Sequence, residues 1–143
     1  MTQSQETLAM PVTAASSMTK LTPVLVVEEI EPCLPFWIDR LGFQKTVEVP
    51  EGSKLGFVIL QKDGVEVMYQ TRESVEKDIP ALLPERTGHP IGLFIEVGDV
   101  AAVERALEGA EIILSRRRTF YGMDEVGARE PGGNAVIFAQ PVK

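Results

Sequence analysis

One histidine, His89, and one cysteine, Cys33, bound the chemistry open to this 143-residue chain. A Ser-His-Asp or Cys-His nucleophile needs an imidazole in a fixed place, and His89 lies between Gly88 and Pro90, in sequence that reads as loop. Cys33 stands in a Pro-Cys-Leu-Pro run and reads as a small buried core residue. Three carboxylates remain, Glu66, Glu96 and Glu125. An enclosed carboxylate can recognise a cation, accept hydrogen bonds or, with a raised pKa, take a proton. A metal site built anew would have to use these three with His89, whose loop setting counts against it. The basic run Arg116-Arg117-Arg118 sits at a strand end and reads as a solvated or salt-bridged rim. The glycine pair Gly132-Gly133 has no lysine or helix behind it, so it is a turn and not a phosphate loop.

The elements that must position these side chains follow from periodicity. Leu21 to Val27 is apolar and β-branched like a buried strand. Leu34, Trp37, Ile38 and Leu41 recur at helical spacing, with Pro32 and Pro35 acceptable in a first turn and Gly42 as the stop. That spacing makes Trp37 a core residue first. Three strands follow, Phe43 to Val49, Leu55 to Gln61 and Val65 to Gln70, with Asp63-Gly64 as the strongest hairpin signal. After a polar segment carrying Ser74, Pro80, Pro84 and Gly88 the order restarts. Ile91 to Val97 is a strand, Asp99 caps a helix closed by Gly109, and Ala110 to Ser115, Glu125 to Arg129 and Ala135 to Ala139 are strands.

The halves register as an internal repeat: Val27 and Val97 lie 70 apart, as do Glu29 and Asp99. The fold expected is therefore α+β, two tandem βαβββ modules whose curved mixed sheets surround a cleft, with helices on the outer face. Residues 1–20 read as a flexible polar leader and 21–143 as one domain, with modules at about 21–70 and 90–140 and a linker over 71–89. Period-two alternation puts Gly92, Phe94 and Glu96 on the inner face, with Leu93, Ile95 and Val97 under the helix. Thr22, Val24 and Val26 face inward by the same rule, joined by Glu66, Met68 and Phe57. A carboxylate so placed needs a partner, either a cationic or hydrogen-bonding ligand or a group inside the protein such as one of the arginines. Gly92 and Gly127 leave volume for a ligand, or for Tyr121, Phe120 or Phe138.

Two stretches carry a resemblance. LVVEEIEPCLPFWIDRLGF is similar to the strand, acidic turn and helix of the vicinal oxygen chelate superfamily, and YGMDEVGAREPGGNAVIFAQ is similar to its Tyr-Gly, Glu and Asp-Pro-Asp-Gly-Asn hairpin. That superfamily includes glyoxalase I, extradiol dioxygenases, and fosfomycin- and bleomycin-resistance proteins. The resemblance implies a divalent metal held by inward side chains of the two halves. Its ligand positions fall on Thr22, Gly92 and Ile137, and only Glu66 matches a carboxylate position. A hydroxyl, a missing side chain and an alkyl group cannot replace imidazole and carboxylate donors. The reading is thus a metal-free small-molecule binding protein resembling bleomycin-resistance proteins, with clefts at a homodimer interface, no cofactor and no catalytic residue. Its ligand-binding residues would be Glu66, Met68, Phe57, Phe94, Thr22, Gly92, Tyr121, Glu125 and Ile137. The alternative is a lyase, isomerase or dioxygenase-like enzyme with a rebuilt or carboxylate-only site.

Bulk properties narrow the partners. The apolar content of 44 % and charged content of 24 % are those of a folded globular chain. A net charge of −7 and a pI near 4.8 argue against nucleic acid and anionic membrane surfaces and would suit a cationic ligand, while the Met, Phe and Tyr of the expected pocket would suit an aromatic one. No run reaches the length of a bilayer span. A lone cysteine excludes an intrachain disulfide and suits the cytoplasm.

Overall fold

The computed structural model describes residues 16–83 and 90–142. Most of the expected leader, His89, and Pro84 and Gly88 of the linker lie outside the described residues.

The architecture is the expected α+β pair of βαβββ modules. In the first, strand β1 (Val24–Val27) leads through a helical segment into β2 (Gln44–Glu51), β3 (Lys54–Lys62) and β4 (Val65–Thr71). In the second, β5 (Gly92–Glu96) leads through helix α2 (Val100–Ala106) into β6 (Glu111–Arg118), β7 (Met123–Arg129) and β8 (Ala135–Pro141). Each module makes a four-stranded sheet, ordered β1-β4-β3-β2 and β5-β8-β7-β6. The first strand of each runs parallel to the last and the others pair antiparallel.

Local chemistry explains where elements depart from the sequence reading. Strand β1 starts at Val24 because Pro23 has no N–H; its carbonyl still accepts from Met68 N at 3.0 Å. The first helix is irregular: a 3₁₀ turn over Glu31–Cys33 passes into a wide π turn over Phe36–Arg40, as expected where Pro32 and Pro35 remove two donors. Gly42, at φ 81, ends it. The segment read as polar linker holds helix α1 (Arg72–Asp78), capped by the Thr71 hydroxyl accepting from Ser74 N at 3.1 Å. The β6–β7 hairpin runs longer than its apolar pattern, because Arg116 pairs with Asp124 and Arg117 with Glu125 across it.

One core serves both modules. Leu25, Val58, Leu60, Val67 and Tyr69 of the first sheet share it with Val126, Ala128, Val136 and Phe138 of the second, and Trp37, Val100 and Leu107 come from the helical segments. A buried polar chain crosses between the modules at its centre. Trp37 Nε1 donates to the Tyr69 hydroxyl at 2.8 Å, and that hydroxyl donates to Glu130 of the second module. Glu130 also accepts from Gly132 N, Asn134 N and Asn134 Nδ2 at 2.6–2.7 Å. Every oxygen of this buried carboxylate is thereby satisfied. Cys33 packs here too, only 2 % exposed, and burial, followed by the charge of Glu130, pushes its thiol up to about 12. It is core, not nucleophile.

Candidate functional site

Alternation along each strand sends one set of side chains into the shared core and leaves the other on an open face. On the first sheet the pairing aligns Val24, Met68, Ile59 and Val47 in one row across the strands. Phe57 lies two residues from Ile59 on the same face, and the exposed Val49 pairs with it. On the second sheet an apolar row runs Phe94, Ile137, Gly127 and Leu114, and the next row runs Glu96, Ala139, Glu125 and Arg117. The face is open at Phe94, which is 56 % exposed, and closed at Glu125 and Ala139, which are buried.

The expected site residues are therefore gathered in two groups, Glu66, Met68 and Phe57 on one sheet with Thr22 just before β1, and Gly92, Phe94, Ile137 and Glu125 on the other with Tyr121 in the β6–β7 turn. Thr22 donates its hydroxyl to Glu66 Oε1 at 2.9 Å, and Lys20 Nζ sits 2.9 Å from the same oxygen. The partner of Glu66 thus comes from the chain itself, from a residue read as part of the leader. Lys20 first and Thr22 second hold the Glu66 carboxyl below its ordinary range, the reverse of the raised pKa that a proton-abstracting base requires.

Glu125 is 1 % exposed. Its Oε1 accepts from Arg117 Nε at 2.9 Å and lies 2.8 Å from Arg117 Nη2, and the Tyr121 hydroxyl stands 3.3 Å from its Oε2. The Arg116-Arg117-Arg118 run is thus salt-bridged at its first two members, Arg116 bonding both Asp124 and Glu104. The space beside Gly127 is filled, but not by the expected aromatic residues. A Cβ there would fall 2.6 Å from Ile137 Cδ1 and 3.0 Å from Leu114 Cβ. Phe138 lies in the core, and Phe120 stands fully exposed on the β6–β7 turn, edge-on to Tyr121. Gly92 has open space where a side chain would be.

The positions implied for a metal do not fit one. Thr22 and Glu66 are hydrogen-bonded to each other, Lys20 places a positive charge on the carboxylate, and Gly92 and Ile137 offer no donor atom. Among the described residues no three His, Cys, Asp or Glu side chains converge. A separate groove of about 730 Å³ runs along the unpaired edge of β1, bordered by Arg72, Arg129 and Asn134, and touches none of the expected site residues. Leu82 and Pro90 border it as well, on either side of the undescribed 84–89.

Two four-stranded sheets, each with a parallel outer pair and an antiparallel remainder, define the class. The chain has the fold of the glyoxalase/bleomycin resistance/dioxygenase proteins, the vicinal oxygen chelate superfamily. A glyoxalase/bleomycin resistance protein/dioxygenase from Nocardioides superposes with a TM-score of 0.69 at 18 % identity, covering 90 % of this chain and 87 % of that one. TioX from Micromonospora sp. ML1 gives 0.70 at 16 %, covering 87 % and 100 %. A lactoylglutathione lyase from Agrobacterium tumefaciens gives 0.67 at 15 %, covering 87 % and 95 %. At these identities the likeness is one of fold. No family model and no curated protein sequence matches the chain.

Proposed function

We propose that this protein binds a small molecule, a drug or a metabolite, without a metal, in clefts completed when a second copy covers the open sheet faces. The observation that carries the reading is the state of Glu66. The one carboxylate at an inherited ligand position is held by Lys20 and Thr22, within an apolar face formed by Val24, Met68 and Phe57. An ammonium on that carboxylate opposes a divalent cation, whereas an open apolar face with few polar groups suits an organic ligand. The lyase or isomerase reading needs a carboxylate poised to take a proton. Glu66 is shifted the other way, and Glu125 is out of a substrate's reach at 1 % exposure. A lone buried thiol fits a cytoplasmic setting, and no helix among the described residues is long and apolar enough to cross a membrane.

Elemental analysis of the purified protein tests the metal-free part. Substoichiometric Zn, Ni, Mn and Fe, with a melting temperature unmoved by a chelator, is the expected result. Stoichiometric metal that disappears in Glu66→Gln would overturn it. A melting-temperature screen over aromatic and glycopeptide compounds tests the binding part, since a ligand selective for the native state raises stability. A flat response across the panel would count against binding altogether.

A further inference from the structure

Each open face sets a cation above a carboxylate. On the first sheet the Lys20 side chain is 59 % exposed and Glu66 12 %; on the second Arg117 is 54 % exposed and Glu125 1 %. In both pairs the acid is the buried member. A molecule approaching either face therefore meets positive charge first, although the whole chain carries −7.

The Arg117 pair is the better built of the two. The guanidinium Nε donates to Glu125 Oε1 at 2.9 Å and Nη2 lies 2.8 Å from the same oxygen; Tyr121 is the guanidinium's other neighbour, and among the described residues no hydrogen bond of ordinary geometry is made by Nη1. Glu125 fixes the plane of the fork, and the bond between them secures the charge of Arg117 by raising its pKa further. The free edge is a preorganised donor pair of the kind that recognises a carboxylate bidentately. Along the strands the charged row is two residues from the apolar row of Ile137 and Gly127, roughly 6–7 Å. One aromatic ring with its acid group spans that distance.

We propose that Arg117 is an anion-recognition point and that the ligand is a planar or aromatic carboxylate. Its acid group lies on the free edge of Arg117, and its ring rests on Ile137 and Leu114. Glu125 is the positioning residue, and Lys20 supplies like charge on the other sheet. This inference rests on the small-molecule reading above and adds the sign of the ligand's charge.

Calorimetry on the full chain with benzoate, benzamide and benzamidine tests it, these three probes sharing a ring and differing in charge. Benzoate is expected to bind at least about tenfold more tightly than the other two, as a charge-assisted pair implies. Arg117→Gln/Glu125→Gln removes the fork without leaving a bare buried acid. It should abolish that preference while benzamide affinity stays unchanged, and Arg117→Lys should retain part of it. Benzamidine binding as tightly as benzoate, or a benzoate preference that survives in the double variant, would overturn the assignment and leave small-molecule binding standing. Binding of none of the three, together with a flat melting screen, would overturn both.

Discussion

Glu66 was legible as an inward carboxylate from strand alternation and Glu125 as a candidate site carboxylate, yet what each does was decided by neighbours that alternation cannot name. Lys20 lies in sequence with no periodic signal, so its contact with Glu66 was invisible beforehand. Arg117 was visible as charge, but its pairing depends on hairpin register. The Glu66 contact has a consequence in acid. Its carboxyl is held below the ordinary value of 4.5, so the stabilisation is complete above that value and is lost as pH falls through the lowered folded-state pKa. Melting temperature against pH should show a shallower acid-side fall in Glu66→Gln than in the parent. Equal slopes would mean that the Lys20 contact contributes nothing in solution.

At the scale of elements, apolar periodicity located all eight strands, because each must alternate between a core face and an open one. What it missed had other causes. Helix α1 is set by a threonine cap within polar sequence, and the outer half of the β6–β7 hairpin by cross-strand ion pairs; neither leaves an apolar trace. The second sheet is also tightly closed over Gly127. In Gly127→Ala the new methyl meets Ile137 and Leu114 at distances that force at least one to move. A loss of about 1–3 kcal/mol is expected in denaturant titration. A change within a few tenths would show that Ile137 swings aside freely, and with it that the apolar row is softer than drawn.

For the whole molecule, the internal repeat foretold two equivalent sheets and the need to cover their inner faces. It could not foretell how the modules meet, since Tyr69 and Glu130 lie in different modules and share no periodic relation. The exposed valines of β2 bear on the assembly proposed above. Val47 is 40 % exposed in the single chain, beside Ile59 on the open face. If a second copy covers that face, Val47→Glu should shift sedimentation from dimer to monomer. A parent that sediments as a monomer across micromolar concentrations would remove the shared cleft.

The Trp37–Tyr69–Glu130 chain has a final consequence, for how the protein comes apart. Two repeats written one after the other could unfold as separate units, each in its own transition. Here the halves cannot part without taking the Tyr69 hydroxyl away from the buried Glu130 carboxylate, the bond that joins them. Calorimetry should therefore record one melting transition with equal calorimetric and van't Hoff enthalpies. Tyr69→Phe, which strands the Trp37 indole N–H at a cost of about 1–3 kcal/mol and removes the bond to Glu130 that joins the modules, is the substitution expected to split that transition into two.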